Sequence, residues 1–278
     1  MRIKLAENYG FCFGVKRAIK LAEQNPGAVT VGPLIHNPKE IERLKNDFGV
    51  EVTDEIDHIA PGRRAIVRTH GIERNDRQRL SARSQDVIDA TCPFVTKPQE
   101  IVEKMSAQGY QVVIFGDSNH PEVKGVRSYA SADALVLSCV SELSDHLLRD
   151  RIALVSQTTK KVTEFAKLAQ ALVLKAKEVR VFNTICNATF DNQEATRALA
   201  LEADVMVIIG GKNSSNTRQL HAIAQEECLK SYLIEDSHDL DLHWFEGAQL
   251  VGVSAGASTP DWIIREVIEA IGTLSNPR

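Results

Sequence analysis

The sequence predicts an α/β protein made of three similar small α/β domains in a pseudo-three-fold arrangement. Three observations carry that expectation. Three strand-like runs each end in cysteine, RIKLAENYGFC at Cys12, VIDATC at Cys92 and VRVFNTIC at Cys186, and the cysteines lie 80 and 94 residues apart. Intervals of that size are domain-sized, not loop-sized. After each cysteine the same succession follows: a helix, a buried strand, a polar turn, further strands and a closing helix. The polar turns recur in register as well. The first comes 24 to 28 residues beyond the cysteine, at His36, His120 and Ser214. The second comes 58 to 72 residues beyond, at His70, Thr158 and Ser258.

The elements justify themselves in order. Val15, Ala18, Ile19 and Ala22 share one helical face, as do Ile101, Val102 and Met105, and 195–203 fills the third slot. Gly109 is placed to stop the second of these helices. Buried-looking strands follow at 28–32, 112–116 and 205–211, and each opens into a polar turn, HNP, SNHPE or KNSSN. A further helix is clearest at 40–48, with Gly49 behind it. The last strands end in RTHG, SQTT and SAGAST. Closing helices then show the stripes Phe165, Leu168, Ala169, Leu172 and Ile264, Val267, Ile268, Ile271. The expected domains are 1–92, 93–185 and 186–278. The first two closing helices run into a cysteine strand, whereas the third runs to the end of the sequence. The strand at 1–9 is therefore expected to pair with the third sheet. Strands that feed downstream helices through right-handed crossovers put all their turns at one sheet edge, where ligands of open α/β sheets bind.

Composition excludes several classes. The chain has 278 residues, a net charge of −4 and no basic run, which argues against nucleic-acid binding. The N-terminus lacks a signal-peptide core, and no apolar run is long enough to cross a bilayer. Five cysteines without an export signal point to a reducing cytoplasm and thiols that are not in disulfides.

The chemistry is read from the turns. No C-x-x-C pair exists, so a structural zinc site is disfavoured. Three equivalent cysteines suit a cubane iron–sulfur cluster, whose fourth iron would lack a protein thiolate and act as a Lewis acid. Cys139, in ALVLSC, reads as core, and Cys228 as structural. His36, His70 and His120 occupy repeat positions, while His58, His146, His221, His238 and His243 read as surface residues. Beside Pro38 and Pro121, His36 and His120 also suit plain turn chemistry. With Ser214, Asn216 and Ser258, the three histidines suggest an anion site completed by helix N-termini. There is no G-x-x-x-x-G-K-S/T, so this is not a P-loop. Ser214 to Asn216 also read as an ordinary helix cap. Glu122 is the one carboxylate inside a repeat turn. It is either a general acid kept protonated by burial or a first-turn glutamate favoured by the helix dipole.

These segments resemble a known family. GFCFGV at Cys12, GPLIHN at His36, THG at His70, DATCP at Cys92 and HPEV at His120 match it, and so do QTT at Thr158, TICNAT at Cys186, GGKNSSNT at Ser214 and AGASTPDW at Ser258. In that order, over nearly the whole chain, they are similar to the 4-hydroxy-3-methylbut-2-enyl diphosphate reductases of the methylerythritol phosphate route to isoprenoids. The resemblance implies one 4Fe–4S cluster per chain, held by Cys12, Cys92 and Cys186. It implies reductive loss of the substrate hydroxyl as water, with Glu122 on the proton path and Thr158 near the leaving group. His36, His70, His120, Ser214, Ser215, Asn216 and Ser258 would line the diphosphate pocket, and a ferredoxin or flavodoxin would supply electrons. The sequence departs from the family in FDNQEA after TICNAT and in DSN before HPEV; neither departure touches a ligand. Two alternatives from other classes are a non-catalytic iron–sulfur sensor and a zinc-dependent diphosphate hydrolase.

Overall fold

A computed structural model describes every residue except Gln85 and 275–278; the expected third domain thus runs four residues past the described ones. The described residues form three four-stranded sheets, and every strand pairing is parallel. The chain divides into two compact units: Met1–Lys16, His36–Glu42 and Asn187–Arg278 form the first, and Arg17–Ile35 with Arg43–Cys186 the second.

In the first unit, β1 (Arg2–Leu5), β10 (Val205–Ile209), β11 (Ser231–Ile234) and β12 (Leu250–Ala255) form one sheet in the order β11-β10-β12-β1. Its helices are α7 (Asn187–Ala200), α8 (Ser215–Glu227) and α9 (Asp261–Leu274). The pleat sorts the strand residues by face. Val205, Val207 and Ile209 pack with Ile263, Ile264, Val267 and Ile271 of α9. Met206 and Ile208 face the other way, onto Leu199 of α7 and Leu220 and Ala224 of α8. Both faces are covered, so the strands read as continuous apolar runs. β1 completes the sheet by pairing with β12, Arg2 opposite Leu250 and Leu5 opposite Val253.

The second unit holds two sheets. One comprises β2 (Val29–Val31), β3 (Glu51–Thr53), β4 (Arg64–Val67) and β5 (Asp86–Asp89) in the order β3-β2-β4-β5, with α3 (Arg74–Arg83) after β4. The other comprises β6 (Gln111–Phe115), β7 (Leu135–Leu137), β8 (Arg151–Ser156) and β9 (Glu178–Val181) in the order β7-β6-β8-β9. Helices α4 (Pro93–Ala107) and α5 (Pro121–Arg127) pack on one of its faces, through Val102, Val123 and Val126. Helix α6 (Val162–Val173) packs on the other, through Phe165, Leu168 and Leu172. Helices α1 (Phe13–Glu23) and α2 (Pro38–Phe48) each cross a boundary between the units.

All three sheets share one strand order: second, first, third, then the strand leading to cysteine. Each draws its first three strands from one of the three expected segments. One expectation fails. Strand β7 stops at Leu137, and Cys139 lies beyond it, half-buried, with its Sγ 3.0 Å from Ser141 Oγ. The polar Ser138 ends the apolar run early, so Cys139 caps a 3-10 turn instead of entering the core.

Candidate active site

The three repeat cysteines share one backbone setting. Each immediately precedes a helix: Cys12 before α1, Cys92 before α4 and Cys186 before α7. Each cysteine N–H donates to a carbonyl two residues past the end of the neighbouring strand. Cys12 bonds to Ala257 O (3.2 Å), Cys92 to Thr69 O (3.0 Å) and Cys186 to Thr158 O (3.0 Å). The acceptors belong to the second polar turn in each case. At Cys92 the helix begins at once, because Pro93 has no N–H to satisfy and a φ already suited to the first helical turn. Cys12, Cys92 and Cys186 are half-buried, whereas Cys228 is buried in the core.

In the second unit the chemistry gathers at the carboxyl ends of β4, β6 and β8. Glu122, in the first turn of α5, is 1% exposed. One carboxylate oxygen accepts the Thr158 N–H at 2.6 Å, and the other accepts the Thr158 hydroxyl at 2.7 Å. Burial pushes its pKa up to about 6, and the two Thr158 hydrogen bonds pull against that rise. Thr158 thus touches Glu122 through its N–H and hydroxyl, and Cys186 through its carbonyl.

His120 caps α5: its Nδ1 accepts the Glu122 N–H at 3.2 Å. A neutral His120 ring must then carry its proton on Nε2, as a donor. His70 lies beside a hydroxyl of its own turn. The Thr69 hydroxyl donates its single hydrogen to Leu34 O at 2.8 Å and lies 3.4 Å from His70 Nδ1. The two rings meet edge to face at 5.5 Å. Gly125 faces the THG turn: a Cβ there would sit in van der Waals contact, 3.4 Å from Ile72 O and 3.7 Å from His70 O, which leaves no room for a larger side chain.

In the first unit, Ser214 caps α8 by accepting the Thr217 N–H at 3.3 Å, and Ser215 opens the helix half-buried. Asn216 is 4% exposed, and neither atom of its side-chain amide has a hydrogen-bond partner among the described residues. Burying an unmatched amide costs about 1–3 kcal/mol. The Ser258 hydroxyl donates to His36 O at 3.3 Å. Gly211 comes so close to the same carbonyl that a Cβ would stand 2.5 Å from it. The turn is held from beyond as well, by the Trp262 indole N–H donating to Glu40 at 3.0 Å.

Of the other histidines, His58, His146, His238 and His243 are exposed, and His221 is half-buried against Ser231 O. Thr69 and Arg68 escaped the sequence reading. Arg68 donates to Gly71 O at 3.2 Å and clamps the turn that presents His70; burial lowers its pKa. Their only sequence signal is membership of RTHG.

A comparison with protein families matches residues 3–272 to the LytB protein family. The 4-hydroxy-3-methylbut-2-enyl diphosphate reductase of Sulfurimonas denitrificans is 59% identical over 98% of both chains. That of Wolinella succinogenes is 58% identical over the same shares. A solved (E)-4-hydroxy-3-methyl-but-2-enyl diphosphate reductase, described as the terminal enzyme of the non-mevalonate pathway, is 43% identical. It covers 97% of this chain and 98% of its own, with a TM-score of 0.72. The structure of the reductase from Plasmodium falciparum is 26% identical with a TM-score of 0.91, covering 99% of this chain and 88% of its own.

Proposed function

Because this chain belongs to the LytB protein family, we propose that it is a 4-hydroxy-3-methylbut-2-enyl diphosphate reductase. The reaction adds two electrons and two protons to the allylic alcohol, breaks its C–O bond, and releases water with isopentenyl or dimethylallyl diphosphate. The thiols of Cys12, Cys92 and Cys186 are the proposed ligands of one 4Fe–4S cluster, and their shared backbone setting supports that reading. When bound, such a cluster supplies single electrons and a Lewis-acidic iron. The segments 1–92, 93–185 and 186–278 are the proposed domains; Cys12 and Cys92 lie at the two ends of the first, and Cys186 opens the third.

The remaining roles fall to side chains of this chain. Glu122 holds a proton in a water-excluded setting, and its pKa of about 6 suits a donor working near neutrality. The Thr158 hydroxyl, 2.7 Å from it, passes that proton towards the leaving hydroxyl. His120 donates through Nε2 to the diphosphate. Asn216 finds in the ligand the partners that the fold withholds from it. Ser214, Ser215 and the N-terminus of α8 add donors suited to an anion, and His36, His70 and Ser258 complete the pocket. A ferredoxin or flavodoxin is the proposed electron donor and the cytoplasm the proposed compartment. No helix among the described residues is long and apolar enough to cross a membrane.

The observation that carries this reading is the buried Glu122–Thr158 pair, bonded through Thr158 O to Cys186. Glu122→Gln keeps the size and hydrogen-bonding capacity of the side chain but has no proton to give. Turnover should fall at least about 100-fold, the lower range for general acid catalysis, while the brown colour and cluster absorbance persist. Undiminished turnover in that variant would sink the assignment.

A further inference from the structure

The Cys92 turn has a partner that the proposed chemistry does not use. Arg17, on α1, is half-buried and sends both ends of its guanidinium into the backbone leading to Cys92. Nη2 donates to Asp89 O at 3.0 Å and Nη1 to Thr91 O at 3.2 Å. These carbonyls lie on either side of Ala90, and the second belongs to the residue next to the cysteine. A planar fork spanning two carbonyls fixes the path of three residues at once, which a lysine could not do.

The charge of this group is as informative as its shape. Arg17 makes no ion pair among the described residues. The nearest acid in sequence to the clamp, Asp89, is committed elsewhere. One of its oxygens takes Arg77 at 2.6 Å, and the other takes the Thr91 N–H at 2.9 Å. The other charged groups lining the crevice of about 360 Å³ beside the clamp are Lys97 and Glu100, of opposite sign. A positive charge in no ion pair among the described residues thus sits one peptide from a cysteine that would hold a cluster becoming more negative on reduction. Such a charge favours the reduced form.

We propose that Arg17 is a positioning residue that locks the Cys92 turn and raises the reduction potential of the cluster. The inference rests on the cluster reading given above. Two measurements on the anaerobically purified full chain test it separately from that reading. In Arg17→Gln the one-electron reduction equilibrium should weaken roughly tenfold, which is about 59 mV. Arg17→Lys should keep the potential close to wild type, because it keeps the charge. In both variants the amides of Ala90, Thr91 and Cys92 should exchange roughly tenfold faster, the scale of one lost charge-assisted hydrogen bond. An unchanged potential in Arg17→Gln overturns the electrostatic role. Unchanged exchange in Arg17→Lys overturns the clamp, even where the neutral variant does not load a cluster. A wild-type protein that holds no cluster would instead refute the cysteine assignment, and the exchange measurement would still decide the clamp.

Discussion

Glu122 and Asn216 both keep polar atoms buried at a cost to the fold, and that cost is measurable residue by residue. For Glu122 the pKa rises from 4.5 to about 6 on folding. Folding therefore favours the protonated carboxyl. Its contribution to stability is full below pH 4.5 and is lost as the pH climbs through 6, on the order of 2 kcal/mol in all. Glu122→Gln should abolish this loss. Urea titrations of wild type and variant at pH 4 and pH 8 should differ by that amount, with the variant gaining at the higher pH. Catalysis should show the same titration: turnover limited by this proton should fall as the pH rises above about 6. Asn216 offers a complementary case. Replacing its unmatched amide by Leu should raise the melting temperature, because the cost of about 1–3 kcal/mol disappears. The same change should remove diphosphate binding in calorimetry. A variant that is less stable yet still binds would argue against the ligand-receiving role. Legibility at this scale depended on recurrence. The cysteines and the turn histidines stood out because three copies align. Arg17 did not, because its partners are backbone atoms 72 and 74 residues away and carry no side-chain pattern.

At the scale of elements, the clearest signals were apolar runs. β10 and β12 are buried throughout and were legible as strands. Helix α3 was not legible as amphipathic, since Leu80 is its one buried residue. Cys139 was misread because a strand's apolar run gives its start more clearly than its end. The short helix α5 owes its position to contacts, not to propensity. Ser128 Oγ donates to Gly125 O at 2.6 Å and accepts the Arg74 N–H at 2.9 Å, which ties the C-terminus of α5 to the start of α3. Gly125 is the residue of α5 that faces the THG turn, with room for a Cβ but not for a branched side chain. Gly125→Val should force the two apart, with overpacking worth about 1–3 kcal/mol. The expected result is a lower melting temperature together with a raised KM, since His120 and His70 would lose their 5.5 Å contact. A change in stability with KM untouched would show that this packing does not position the histidines.

For the molecule as a whole, one strand order written three times makes the third sheet informative. In the first two sheets a closing helix leads directly into the cysteine strand, α3 into β5 and α6 into β9. In the third, the place after α9 is taken by β1. The chain is a circular permutation of its own repeat. Joining its ends with a short flexible linker and opening it between α6 and β9 should therefore give a folded protein with a wild-type circular dichroism spectrum. A permutant without native secondary structure would count against the equivalence of the three connections. The pairing of Arg2 with Leu250 also sets a clock on biosynthesis. At roughly 5–20 residues per second, the first strand leaves the ribosome on the order of ten seconds or more before its partner exists. Through that interval its backbone groups lack the partner strand they pair with in the folded chain. Closure of the third sheet must then wait until nearly all of the sequence has been made, so the edge of β12 is the last sheet edge in the molecule to find its partner strand.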